Sequence, residues 1–333
     1  MNNKTIKTIL FTVACTAVAS FFIYAMCDRM GDEQAYRSQF FRDYRIFAPP
    51  VPDKADFAGE RVPLDRFYVK ESLDREIMNT TFMHSSTILM FKRAYRWFPV
   101  IEPILKKNGI PDDFKYLCLA ESNLANATSP SNAEGFWQFL QATGQKYGLE
   151  INEEVDERYN AEKATEAACD YFRSSHALFG NWTLVAASYN RGTNGLSRAL
   201  DGQKVKSYYD LYLNDETARY VFRILAIKEV YNHPARYGFF LREQDLYRPI
   251  PTHKVTVDTA VTDLADLAAK LKVTYRVLRE FNPWIQRYNL PNKTRKVYTF
   301  ILPKPGMTKI DSLPAIPVSD HFYKDTLKVH QLH

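Results

Sequence analysis

The chain opens on an uncharged run, ILFTVACTAVASFFIYAM, from Ile9 to Met26, with Lys4 and Lys7 just before it. As a helix at 1.5 Å per residue this run is roughly 27 Å long, enough to cross the apolar core of a bilayer. Polar and aromatic residues then mix from 28 to 63, around the extended stretch APPVPD at 48–53, which predicts a stalk. From Leu64 the apolar positions recur at helical spacing. DREIMNTTFMHSSTILMFKRAYRWF predicts one or two amphipathic helices, with Pro99 and Pro103 as a break or a new start. A turn at 109–113 leads into a helix that fades between Asn123 and Asn126, before the loop ATSPSNAEG. Another helix is predicted from about Phe136. A further one spans 160–180, with Ala164, Ala168, Tyr171, Phe172 and Leu178 on one side and Gly180 as its stop. NWTLVAASYNRG reads as a short apolar helix ended by Asn190 and Gly192. Residues 215–234 read as one more, capped by Asp215 and closed by Pro234. Residues 64–245 are thus expected to be all-helical.

After RPIP at 248–251 the period changes. HKVTVDTAV and RKVYTFILP alternate like strands, and TDLADLAAKLKV and TYRVLREFNPWI between them have helical spacing. This predicts a small βααβ module over 251–304, and residues 305–333 read as a loose tail. The chain therefore divides into an apolar leading segment (1–30), a stalk (31–63), a helical domain (64–245), the module and the tail.

Composition narrows the classes. With 46% hydrophobic and 25% charged residues in 333, the chain is a folded protein with room for one medium domain and a smaller one. A net charge of +6 is mild and suits an anionic polymer or no charged partner at all, and without any basic run it gives little support to nucleic-acid binding. The leading lysines favour an orientation that exports the rest of the chain. An uncleaved anchor is the favoured reading. A cleaved signal with Ala17-Val18-Ala19 at its site and a lipidated cysteine are the rivals. All three put the body in the cell envelope, outside the cytoplasm. Cys118 and Cys169 fall in predicted helices, as a bridge or as two buried thiols. The seven histidines have no metal-binding spacing, and there is no nucleophile elbow, P-loop or dinucleotide fingerprint.

One position breaks the pattern. On the helix after the turn at 109–113, Phe114, Leu117 and Cys118 share an apolar face, and Glu121 falls on that same face near the helix end. Burial and the negative end of the helix dipole both hold a proton on a carboxyl placed there, and a glutamic acid protonated near neutral pH is a general acid. A buried glutamate paired with an Arg or Lys is the plainer reading of that position taken alone.

Glu121 does not stand alone. Ala120-Glu121-Ser122 is followed by Gly135-Phe136-Trp137-Gln138-Phe139, then Ala187-Ser188-Tyr189-Asn190, then Tyr220-Val221. In this order and spacing, across roughly 85–240, the chain resembles the lytic murein transglycosylases, in particular their membrane-bound type D group. The resemblance implies a mainly α, goose-type lysozyme-like domain with a long cleft, cutting the β-1,4 bond between N-acetylmuramic acid and N-acetylglucosamine in peptidoglycan. It implies Glu121 as sole acid and base, a substrate-assisted route to a 1,6-anhydro product, and no cofactor or metal. It implies contacts to the glycan strand from Ser122, Gly135, Gln138, Tyr189, Asn190 and Tyr220. Ser122 has a second use as a local backbone cap, the tyrosines as core or as props for Glu121, and Asn190 as a helix terminator. Phe136 and Trp137 read as core. Residues 251–304 resemble a LysM domain, with the two-helix texture and an Asn-Pro. Val257-Asp258-Thr259-Ala260 stands where such domains have Gly-Asp-Thr/Ser-Leu. Binding of N-acetylglucosamine-containing glycan and packing on the catalytic domain are both open for it. Two rivals share these residues: a hydrolase using water as acceptor, and a silent murein-binding scaffold.

Overall fold

The protein is described here from a computed structural model, over residues 2–43 and 46–314. The chain falls into two units, Met1–Ala48 and Pro49–His333.

The first unit is one helix, α1 (Asn3–Asp43). Its apolar part, Asn3–Tyr24, has a mean hydropathy of 2.0 and no buried residue. Thr8, Thr12 and Thr16 lie within it, and each hydroxyl donates to the carbonyl four residues back at 3.0–3.1 Å. Hydroxyls satisfied inside their own helix suit a surrounding without water. The helix runs on through 31–43, so that part of the expected stalk is helical rather than extended.

Residues 49–63 of the expected stalk belong to the second unit. Strands β1 (Asp56–Phe57) and β2 (Glu60–Arg61) form a hairpin, and Phe57 and Val62 are buried in the main core. The Asp113 carboxylate accepts from the Ala58 amide at 2.6 Å and from Lys228 at 2.7 Å, which pins the hairpin to the helical body.

That body is built from α2 (Phe67–Phe82), α3 (His84–Lys107), α4 (Phe114–Ser122), α5 (Gln141–Lys146), α6 (Ala161–Phe179), α7 (Trp182–Arg191), α8 (Thr193–Gln203) and α9 (Asp215–Asn232). α9 is apolar nearly all round, from Tyr220 through Ile224 to Tyr231, and so lies inside. α2, α4 and α7 pack on it. Pro99 and Pro103 do not break α3, which begins at His84 and continues to Lys107. Each proline forfeits one helix hydrogen bond. The stripe Phe91, Tyr95, Phe98, Ile101 and Leu105 is buried on both sides of them and holds the helix together.

Four local expectations are corrected. α5 starts at Gln141, not at Phe136, because Gly135 and Gln138 both have positive φ (77° and 50°) and turn the chain instead. Leu178 is exposed, while Ala164, Ala168, Tyr171 and Phe172 are buried. Asn190 sits inside α7, and Gly192 closes it. Asn214, not Asp215, occupies the cap position of α9. Cys118 and Cys169 are free, buried thiols.

The module follows its expected order: β3 (Thr252–Val257), α10 (Leu264–Lys270), α11 (Tyr275–Phe281) and β4 (Tyr298–Pro303). β3 and β4 pair antiparallel, from Thr252 opposite Pro303 to Val257 opposite Tyr298. The buried Asn282 closes α11 onto β4, donating to the Leu278 and Ile301 carbonyls at 2.9 and 2.8 Å and accepting from the Ile301 amide at 2.8 Å. Of the expected tail, 305–314 carries one 3-10 turn, Ile310–Ser312, and 315–333 lies outside the described residues.

Candidate active site

α4 is short and has six consecutive buried residues, Phe114 to Leu119, before it reaches the surface at Glu121 and Ser122. Asn123 ends it in the left-handed conformation at φ 51°. Asparagine tolerates that region, and the turn releases the chain immediately after the carboxylate.

Glu121 is half-buried, and burial is the main cause that lifts its pKa to about 7. A hydrogen bond from the Tyr220 hydroxyl to its Oε1 and the charge of Arg223 pull the other way, and the charge of Glu216 adds to the rise. Glu216, Tyr220 and Arg223 stand at i, i+4 and i+7 on α9, so one helix face supplies all three. Neither Glu216 nor Arg223 was singled out from the sequence. Their helical spacing from Tyr220 was the one signal that pointed to them.

The Gly135–Phe139 turn lies beside the end of α4. The Ser122 hydroxyl donates to the Phe136 carbonyl at 2.7 Å, and the Cys118 thiol approaches the same oxygen at 3.4 Å. Burial, then the nearby Glu121 charge, holds the Cys118 thiol well above its ordinary pKa, so it acts as a small apolar residue. Gln138 donates through Nε2 to the Ala127 and Gly135 carbonyls, both at 2.8 Å, which ties the turn to itself. A Cβ on Gly135 would stand 2.0 Å from the Arg158 carbonyl oxygen. The close approach that glycine permits here is therefore to the protein's own backbone. Phe136 and Trp137 are core residues, and the Trp137 indole donates to Thr165 at 2.9 Å.

From α7, Tyr189 donates to the Trp137 carbonyl at 2.7 Å, and its ring packs against Phe139, Tyr171 and Phe172. It braces the turn and does not bond Glu121. Asn190 donates to Glu216 at 3.1 Å and accepts from the Thr217 hydroxyl at 2.9 Å, linking the end of α7 to the start of α9. All seven motif residues are thus assembled around α4, the turn, α7 and α9. Glu121 and Tyr220 touch, and the others form the frame. A cavity of about 710 Å³ between α3, α6 and the module includes none of them.

Comparisons with known proteins show what the chain is similar to. Residues 98–211 match the family model of the transglycosylase SLT domain, and 253–306 match that of the soluble lytic transglycosylase C-terminal LysM-like domain. Two curated relatives, both named membrane-bound lytic murein transglycosylase D, come from Escherichia coli strain K12 and from E. coli O6:H1 strain CFT073. Each is 27% identical over 246 residues, which is 71% of this chain and 53% of the relative. The chain spans about half the length of the curated relatives it matches. The chain thus carries a stretch that matches the transglycosylase SLT domain and holds Glu121-Ser122, Gly135–Gln138 and Tyr189-Asn190, with Tyr220 just beyond it, followed by a stretch that matches a LysM-like domain.

Proposed function

We propose that this chain is a murein lytic transglycosylase that works with one carboxyl group. The observation that carries the reading is Glu121: a half-buried carboxyl with a pKa of about 7, held by Tyr220, at the end of a helix inside the matched SLT domain. In its acid form Glu121 gives its proton to the oxygen of the MurNAc-β-1,4-GlcNAc bond, and the bond to C1 breaks. The sugar's own N-acetyl carbonyl stabilises the positive charge at C1. Glu121, now a carboxylate, takes the proton of the C6 hydroxyl. O6 bonds to C1, which closes the 1,6-anhydro ring and returns the proton to Glu121. No water is consumed and no cofactor is needed.

The other residues take supporting roles. Gln138 donates to the protein through Nε2, and its Oε1 accepts from a sugar amide or hydroxyl. Ser122, Gly135 and Tyr189 hold the turn beside the acid, Asn190 holds the two helix ends together, and Tyr220 orients Glu121. The apolar part of α1 anchors the protein in a membrane, with the body on the envelope side facing peptidoglycan.

Purified murein digested with the 333-residue chain in detergent, and with its Glu121→Gln variant, tests this by mass spectrometry. Muropeptides one water lighter than hydrolysis products, formed by the wild type and not by the variant, are expected. Reducing-end products would make the protein a lysozyme-type hydrolase. Murein bound by both proteins but cut by neither would make it a scaffold.

A further inference from the structure

The LysM-like module is not tethered beside the helical body; it is built around a piece of it. Residues 150–158 leave the body as a tight turn, with the Glu157 amide donating to the Glu150 carbonyl at 2.9 Å. Val155 at its tip is 1% exposed and sits in the module's core with Leu264, Trp284, Ile285 and Phe300. Backbone bonds clamp it on both sides: Asp156 donates to the Trp284 carbonyl and Gln286 to the Glu154 carbonyl, each at 2.8 Å. The Tyr298 hydroxyl donates to Glu150 at 2.9 Å, and Lys296 pairs with the same carboxylate.

The other end of this segment holds the active-site turn. Arg158 is 8% exposed. Its guanidinium pairs with Asp156, and one nitrogen, Nη1, donates to the Asn132 and Phe139 carbonyls, both at 3.1 Å. Those two carbonyls flank the Gly135–Gln138 stretch. The Arg158 carbonyl is the atom that leaves room only for glycine at 135. Next in sequence, Tyr159 packs its ring against the module's core and donates its hydroxyl to Glu134. From the turn, the Phe136 carbonyl reaches Ser122, next to Glu121.

We propose that Arg158 is a positioning residue for the active-site turn, and that the LysM-like module sets it by gripping residues 150–156. The module then contributes to catalysis as a brace, whether or not it also binds glycan. A buried guanidinium bonded to two main-chain carbonyls fixes a loop better than any single neutral contact. A turn with non-glycine residues at positive φ, such as Asn132 and Gln138, needs fixing from outside. The proposal rests on the transglycosylase reading for its catalytic meaning, but the bracing is measurable without murein.

Hydrogen exchange of the 333-residue chain in detergent tests it. Val155→Asp puts an unpaired charge into the module's core, a site that does not touch the turn. Arg158→Lys keeps the charge and loses the fork. In both, the amides of Glu134, Gly135 and Gln138 are expected to exchange at least about tenfold faster while those of α6 and α9 keep their rates. Murein turnover falls about tenfold, with kcat reduced more than KM is raised. Lys254→Ala, which removes an exposed ion pair of the module with Glu162, is the control and leaves both readouts unchanged. Unchanged exchange in the turn overturns the proposal. So does a uniform acceleration that includes α6 and α9, because it reports a loss of stability rather than a brace. If the turn loosens as expected but the wild type does not cut murein, the brace stands and the assigned reaction fails.

Discussion

At the scale of single residues, the charge state of Glu121 sets two measurable slopes. As general acid it must carry its proton, so kcat/KM on murein is expected to fall as pH rises through about 7. Tyr220→Phe removes a donor that favours the carboxylate, so that fall moves to higher pH, and the loss of orientation lowers the rate by about tenfold. A fall that stays in place, or moves to lower pH, would rule out Tyr220 as the donor that matters. The same shift makes the folded protein less stable as pH rises. The folded carboxyl holds its proton up to about 7 against an ordinary value of 4.5, so the stability present in acid is lost as pH rises through about 7. Glu121→Gln has no charge to bury. It is expected to be more stable than the wild type at pH 8, by up to about 3 kcal/mol, and equal to it near pH 4. Urea unfolding at both pH values decides, and equal stability at pH 8 would mean the carboxyl is not buried enough to be the acid. Glu121 itself was legible in the sequence, because an acid on an apolar helical stripe is a local pattern. Tyr220, 99 residues further on, was expected as a prop for Glu121 only through the family resemblance, and Glu216 and Arg223 gain their meaning only when α9 is laid against α4.

Among the elements, the sequence pattern was most readable where one helix supplies its own stripe, as in α6 and α9, and least where a turn depends on another segment. The start assigned to a helix at Phe136 follows the apolar run. What stops it is the left-handed backbone at Gly135 and Gln138, held by Arg158 from 23 and 20 residues further on. Gly135→Ala is accordingly expected to cost about 2–4 kcal/mol, since a methyl group 2.0 Å from a carbonyl oxygen must move backbone on one side or the other. Thermal unfolding measures it, and a cost under about 0.5 kcal/mol would show that the turn is loose. The start of α7 has a similar remote dependence. The Glu60 carboxylate accepts from the Trp182 and Thr183 amides at 2.6 and 2.8 Å and from the Thr183 hydroxyl at 2.7 Å, adding to the local cap from Asn181. A carboxylate on the first amides of a helix meets both its unpaired donors and its dipole. Glu60→Ala is expected to lower stability by about 1–2 kcal/mol, and α7, which carries Tyr189 and Asn190, should show it first in hydrogen exchange.

For the whole molecule, the change of period after residue 251 located the module, and the uncharged run located the leading helix, because both are sustained patterns. The boundary between helix and body was not readable in the same way. Residues 49–63 carry few apolar positions and an APPVPD stretch, the composition of a linker, yet Phe57 is fully buried, Val62 is 2% exposed, and Glu60 and Ala58 bond to the body. Two apolar side chains and a few polar contacts are enough to attach a segment, and such contacts leave no periodicity. A pair of truncations separates the two readings. A chain that begins at Pro49 keeps the hairpin, and is expected to unfold at the same temperature as the 333-residue chain and to act equally on dissolved murein. A chain that begins at Leu64 loses Phe57, Val62 and the Glu60 cap together. Removing a core Phe alone costs roughly 3–5 kcal/mol, so with the other losses the shorter chain should lose at least about 5 kcal/mol and melt some 10–20 °C lower. Equal melting temperatures for the two truncations would return 49–63 to the role of a stalk. Lower stability of both relative to the longer chain would mean that α1 also supports the body. The expected pattern, with only the Leu64 chain weakened, makes residue 49 the natural starting point for a soluble form of this protein.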